Sequence, residues 1–486
     1  MVAPLVNQSW VALATLLCHF STGFIISFPS SLLPALRAED SPIKVDLSTA
    51  SWLASAAHSA MIVGDVAAIY SLHRLGRKWS HALSILPAVL GWLLVYLAAD
   101  VSTIMVGRIL TGISTLASFI AGTCAISEYT SPEVRGLVFS LKTSSFVVGG
   151  LVMHVLGMYF CWRTVALFSM IPLLVSLGVT CMWTESPAWL LVRGDHRRSE
   201  EAFHWLRGSG ERAVREFQAM LQAQTERDQN TTKRGSFKEK LVHYRDFYTQ
   251  KEFLKPLFLG CVLMVCMETS GRHIIPAFSG TIMAEILPEI NASYASIYVL
   301  SFDVIALVGN GILCVIIKIF NRRTLLFVSG SLSILTLLSL SGYGYLVRAG
   351  VAENRPWLSL SLLIGYIIVA NTGIVSLPLV IRGELFPLAY RESATGISSI
   401  FSTFLVFLVL KCTLLLFAYI SVLGTFALFA VLLLISLVYL YYNLPETRNK
   451  TMQEIEDYFK YGRFIERQFK NGDDPETEAM FTKNHN

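Results

Sequence analysis

Charge is scarce in this chain of 486 residues: Asp, Glu, Lys and Arg make up 15%, against 53% hydrophobic residues and a mean hydropathy of +0.55. Soluble domains carry roughly 25% charge, so a water-soluble globular fold is excluded and lipid is the expected solvent. No Lys or Arg precedes the first apolar stretch, Leu5 to Leu36, so the basic n-region of a cleaved signal peptide is missing and the stretch is expected to be retained as a helix. The 8 cysteines form no CxxC pair or Cys/His cluster and fall mainly in apolar segments, where packing is their expected role. No catalytic triad or phosphate-binding loop is apparent, so neither enzymatic chemistry nor a cofactor or metal is expected. The net charge of +5 calls for no nucleic-acid partner.

What the chain does have is long apolar runs. A helix needs about 20 mainly apolar residues to cross roughly 30 Å of hydrocarbon. Such runs fall at 9–32, 50–72, 80–99, 102–126, 136–158 and 164–183, then at 256–282, 293–318, 324–346, 358–381, 393–418 and 421–443. The expected fold is an all-α membrane protein of twelve transmembrane helices in two pseudo-symmetric halves of six. Residues 1–183 form the first half, 184–254 a polar cytosolic loop, 255–443 the second half and 444–486 a charged cytosolic tail. With both termini cytosolic, about 30 of the 39 Lys and Arg fall in cytosolic segments, as the positive-inside rule requires. The sequon at Asn291 falls in the outer loop between the seventh and eighth helices and is a glycosylation candidate; that at Asn230 would be cytosolic.

The two halves repeat a pattern. A basic turn, His73 to Lys78, separates the second and third helices, and Asn321-Arg322-Arg323 separates the eighth and ninth. Glu128 and Arg135 stand seven apart around a proline after the fourth helix, and Glu384 and Arg391 do so after the tenth. Thr184-Glu185-Ser186-Pro187 follows the sixth helix and Pro445-Glu446-Thr447 the twelfth. Two parallel six-helix repeats suit a transporter, because rocking one half against the other exposes a midplane site to each side in turn. Acids at membrane depth are costly unless paired. The expected gating and ion-pair set is therefore Arg74, Arg77, Lys78, Arg108, Glu128, Arg135 and Glu185, with Arg322, Arg323, Glu384, Arg391 and Glu446 as counterparts, acting as latches for an outward-open state. Snorkelling to the interface is the alternative for any one of these charges.

These residues, with Gly76-Arg77-Lys78, Gly107-Arg108, Glu128 to Gly136, Glu185-Ser186-Pro187, Glu384 to Pro387 and Pro445-Glu446-Thr447, resemble the sugar porter family of the major facilitator superfamily over nearly the whole chain. Ser51-Trp52, Pro132 to Gly136 and Pro445-Glu446-Thr447 look most like its insect facilitated trehalose transporter branch. The resemblance implies a plasma-membrane carrier moving a sugar, trehalose or a hexose, by alternating access. Several positions depart from the pattern. In the seventh helix only Ser270-Gly271 matches, and Glu268, Arg272 and His273 replace the usual amides. Thr143 stands where hexose carriers place a Gln, and Leu379 where they place a Trp after Pro378. The second basic turn is eroded, which implies a weaker latch.

A sugar site needs polar side chains at midplane together with apolar walls. The candidates are Thr143, Glu268, Ser270, Arg272, His273, Asn371 and Ser376, the last two in an interrupted tenth helix. Glu268 and Arg272, four apart on one helix, are expected to pair, either beside the solute or as a self-satisfied structural pair. Lys142 and Lys411 either find partners in the bilayer or snorkel. Proton-linked sugar porters usually carry an acid in the first helix; here only Cys18 and His19 are titratable, which favours facilitated uniport, with Glu268 as the alternative proton carrier. A porter of a charged solute, a proton symporter and a non-transporting solute sensor are the competing readings.

Overall fold

The computed structural model describes residues 2–211, 213–218, 220–222, 251–286, 292–386, 391–448 and 452–461. The sequon asparagines 230 and 291, residues 387–390 and the side chain of Arg391 lie outside the described residues.

Among the described residues, ten helices are long and apolar enough to cross a bilayer. Two of them, α3 (Leu47–Leu97) and a later helix Arg391–Asn443, run 51 and 53 residues, more than twice what a bilayer needs. Each contains one residue at which the chain reverses, Gly76 (φ 87°, ψ −173°) and Ser421 (φ 68°, ψ 170°). Each long helix therefore makes two crossings, and the ten supply twelve.

In the first half, α1 (Val2–Ser27) and α2 (Pro29–Arg37) form one broken span, followed by α3, α4 (Val101–Tyr129), α5 (Pro132–Tyr159) and α6 (Trp162–Cys181). Asp46 and Asp100 cap α3 and α4 by accepting from the Thr49 and Thr103 amides at 3.1 and 2.7 Å. Two short helices, α7 (Pro187–Val192) and α8 (His196–Arg207), lie against the N-terminus, where Asn7 and Gln8 donate to the Trp205 and Leu206 carbonyls at 2.8 and 2.9 Å.

The second half repeats the plan with α9 (Lys251–Thr269) and α10 (Ile274–Ile286) as one broken span, then α11 (Ala292–Ile319), α12 (Arg322–Arg348), a second broken span α13 (Pro356–Thr372) and α14 (Leu377–Leu385), and α15 (Arg391–Asn443). The α9–α10 corner uses Gly271 at φ 72°, a conformation that costs a side-chain-bearing residue about 1 kcal/mol or more. The expected interruption of the tenth span falls at residues 373–376. After it all, α16 (Met452–Tyr461) packs Ile455 and Phe459 onto the core.

Even-numbered crossings return the chain to one face, which carries the N-terminus, α7, α8 and α16. One contact that joins the halves lies toward the opposite face. Ser51 donates to the Lys411 carbonyl, Lys411 Nζ sits 3.9 Å from the centre of the Trp52 ring, and Trp52 packs on Phe407 at 6.0 Å between centroids.

Candidate functional site

The duplicated motifs form two matching networks on the face of the termini. In the first half, Arg77 grips Glu128 through Nε at 2.9 and 2.8 Å and Nη2 at 2.6 Å, while the Ser186 hydroxyl donates to the same carboxylate. Glu185 Oε1 accepts from the backbone amides of Arg77 and Lys78 at 2.6 and 3.2 Å, capping the helical turn that restarts after Gly76. A Cβ on Gly76 would lie 2.5 Å from that carboxylate. Burial pushes the Glu185 carboxyl above its usual range, and the amides of Ser186, Arg77 and Lys78 pull against that rise.

The second half repeats the plan with fewer guanidinium contacts. Arg322 Nη2 meets Glu384 at 3.3 Å, Thr447 Oγ1 donates to Glu384 at 2.6 Å, and Glu446 accepts from the amides of Arg322 and Arg323 at 3.2 and 3.1 Å. Lys78 Nζ and Arg323 Nη2 cap helix ends in turn, at the Cys181, Trp183 and Tyr441 carbonyls. The single longer Arg322 contact agrees with an eroded second turn. Among the described residues, every one of these bonds stays within one half; none latches the halves together.

Three arginines expected in this set sit elsewhere. Arg74 is exposed, with its guanidinium 5.9 Å from the Tyr70 ring, and Arg135 donates to the Thr130 carbonyl at 3.2 Å. Arg108 is fully buried in α4, where it donates to the Ile25 and Leu53 carbonyls at 2.7 and 3.3 Å. Ile25 precedes the break between α1 and α2, so Arg108 serves a carbonyl that the break frees, and ties it to Leu53 of α3. None of the three meets a carboxylate among the described residues.

The three broken spans converge on a cavity of about 120 Å³ between the halves. The α1–α2 break supplies Ser27, the α9–α10 corner Ser270, Gly271 and Arg272, and the α13–α14 break Asn371 and Ser376. A broken helix frees backbone and polar side chains that an intact helix would bind to itself, and such irregularity is tolerated at membrane depth only where it lines a cavity or is buried in protein. Thr143 on α5 also lines the wall, and Phe146, Ile275 and Phe302 supply apolar surface.

Five of the seven candidates therefore reach the cavity. Glu268 and His273 do not line it. The helix ends at Thr269, so the expected pairing of Glu268 with Arg272 along one helical face does not form. Glu268, 1% exposed, instead accepts from His273 Nδ1 at 2.7 Å, and His273 stacks edge-on with His58 of the first half at 5.8 Å. Among the described residues, Arg272 Nη1 reaches only the Met267 sulfur, at 3.0 Å, a weak acceptor. Asn371 donates to the Ile367 carbonyl at 2.9 Å, and among the described residues no donor meets its amide oxygen.

Asn310 and Asp303 on α11 were not anticipated. Asn310 accepts from Ser376 at 2.8 Å, tying α11 to the α13–α14 break. Asp303 is the one acid in the apolar run Ile297–Ile317, a signal that was available in the sequence. Of the two lysines, Lys142 is buried and donates to the Phe119 carbonyl and to Thr123 Oγ1 at 3.0 and 2.6 Å, while Lys411 lies on Trp52. His19 packs between Phe119 and Phe146 at 5.5 and 5.8 Å.

Comparison with known proteins agrees with this architecture. The xylose transporter XylE from E. coli, solved in an inward-open conformation, superposes with a TM-score of 0.72 at 16% identity, covering 93% of this chain and 99% of that one. A D-xylose-proton symporter structure superposes at 0.68 with 17% identity, covering 91% and 98%. In sequence, the facilitated trehalose transporters Tret1 of Polypedilum vanderplanki and Drosophila virilis are each 26% identical over 452 and 455 residues, 93% of this chain. The chain spans 87% of the Polypedilum protein and about half, 48%, of the Drosophila one. The family model for sugar (and other) transporters matches residues 9–459, and the chain belongs to that family.

Proposed function

We propose that the protein carries a sugar, trehalose or a hexose, down its gradient across the plasma membrane by alternating access. The observation that carries this reading is the convergence of three broken spans on one cavity between two duplicated halves. Its mixture of amides, hydroxyls and aromatic rings suits a polyol with apolar ring faces. The names of the relatives support the same solute class. The basic turns and the short helices α7 and α8 are placed in the cytosol, with both termini, by the positive-inside rule. The face on which Ser51 meets Lys411 is then the outer one. The absence of an acid in α1 favours facilitated movement.

Uptake of labelled trehalose and glucose into oocytes tests the reading. Saturable uptake is expected, and Arg272→Leu is expected to lower it about tenfold or more, since charge-assisted hydrogen bonds contribute roughly 1.5–3 kcal/mol. Asn371→Ala should cost less, about threefold to tenfold. No sugar uptake despite surface expression would overturn the sugar reading. A charged solute is the second reading, favoured by Arg272, a cation on the cavity wall that makes no salt bridge among the described residues. Competition by sugar acids but not by neutral sugars would establish it.

A further inference from the structure

Among the described residues, Asp303 is the acid that the cavity presents to a solute. It stands on α11, and its side chain, 14% exposed, forms part of the wall. An acid at membrane depth is costly and persists where it is paired or where it serves a solute. Asp303 is paired through one oxygen only. His154 Nδ1, on α5 of the first half, donates to Oδ2 at 2.5 Å. The imidazole is 4% exposed, and its Nε2 lies 3.1 Å from the Pro276 carbonyl oxygen of α10, so the ring is fixed on both sides. Among the described residues no donor meets Oδ1. The carboxylate is thus held by one oxygen and available through the other.

We propose that Asp303 is a specificity-determining residue for the solute, accepting a sugar hydroxyl at Oδ1, with His154 as its positioning residue. The role rests on the transport reading above and narrows its solute to a neutral polyol. Arg272, which only donates, lines the same cavity and makes no salt bridge among the described residues. A hydroxyl both donates and accepts, so a solute with several hydroxyls satisfies Arg272 and Asp303 together. A sugar acid gains at Arg272 and loses at Asp303, and a cationic solute does the reverse.

The other polar groups of the wall, Thr143, Asn310, Asn371 and Ser376, are neutral, and their bonds to a solute are weaker than those of the two charged groups. Removing the hydroxyl that meets Asp303 strands a desolvated carboxylate oxygen. A site of this kind rejects the deoxy analogue far more strongly than an apolar pocket rejects a missing methylene. Two hydroxyls of the sugar therefore count for most, one at Arg272 and one at Asp303, and substitution of Asp303 tells them apart.

The test uses the whole chain in oocytes. Uptake of labelled glucose and of labelled trehalose is competed with the unlabelled sugar and with its monodeoxy analogues, and each inhibition constant is divided by that of the intact sugar. In the parent, at least one analogue is expected to bind about tenfold more weakly or worse. In Asp303→Ala the ratio at one such position is expected to collapse to near one, because the intact sugar weakens to the level of its analogue, while the ratios at the other positions persist. Asp303→Asn keeps the shape and a neutral acceptor, so its ratio falls part of the way, and it gives the same comparison should Asp303→Ala fail to reach the surface. His154→Gln, whose amide still donates to Oδ2, is expected to keep the ratio, and His154→Leu to lower it. These ratios depend neither on how much protein reaches the surface nor on how fast the halves rock, so a purely structural role for the pair would leave them unmoved.

Ratios unchanged at every position in Asp303→Ala and Asp303→Asn overturn the assignment of Asp303 and leave the sugar reading standing. Uptake of sugar acids in place of neutral sugars overturns both.

Discussion

Gly112→Ala is expected to destabilise the protein by about 3 kcal/mol, at the upper end of the usual cost of overpacking. α4 crosses α3 with Gly112 against the backbone of Ala57, and a Cβ there would sit 2.6 Å from the Ala57 carbonyl carbon and nearer still to its oxygen. Backbone, unlike a side chain, has no rotamer with which to yield, so α3 and α4 must separate along the most extensive helix interface in the chain. Gly178 on α6 is the control: a Cβ there meets nothing within 4 Å, so Gly178→Ala should be neutral or stabilising by up to about 1 kcal/mol through helix propensity. Thermal melting in detergent checks the pair. If Gly112→Ala melts with the parent while Gly178→Ala also does, the close crossing of α3 and α4 is wrong.

Glu128→Ala is expected to have the next largest effect, about 2 kcal/mol. Removing one member of a buried pair costs roughly 3–5 kcal/mol because the partner charge is stranded, and exposures of 22% and 20% for Arg77 and Glu128 reduce that figure. Three guanidinium contacts and the Ser186 hydroxyl are lost together. Glu384→Ala should cost less, since Arg322 makes one contact at 3.3 Å and the acid is more exposed, at 30%. Because each network closes within its own half, the double variant should melt at the sum of the two losses within about 0.5 kcal/mol. A clear departure from additivity would mean that the networks are coupled across the halves.

Those networks were the most legible part of the molecule. Charges in a chain this apolar have few places to go, so three motifs repeated in the same order in both halves identified Arg77, Glu128 and Glu185 with their counterparts Arg322, Glu384 and Glu446. Repetition could not say which partner each charge would choose. Arg108 shares the family motif but serves one backbone carbonyl freed by the break after α1 and a second on α3, a demand that exists only once α1, α3 and α4 are packed.

The site shows the same division more sharply. Polar residues within apolar runs pointed to Thr143, Ser270, Arg272, Asn371 and Ser376, all of which line the cavity. The pairing of Glu268 with Arg272 assumed an unbroken helix. Gly271 at φ 72° ends that register, turning Arg272 to the cavity and Glu268 toward His273.

By itself, then, the sequence determined the solvent, the twelve crossings, the duplication and the polar residues of the spans. These follow from local hydrophobicity and from repetition along the chain, which need no knowledge of what packs against what. Tertiary structure alone decided that the duplicated charge networks close within halves, that three helices break beside one cavity, and that His154 and Asp303, 149 residues apart, meet between the halves. Each of those outcomes depends on which helix faces lie side by side, and hydrophobic periodicity says only that a face is buried, never against whom.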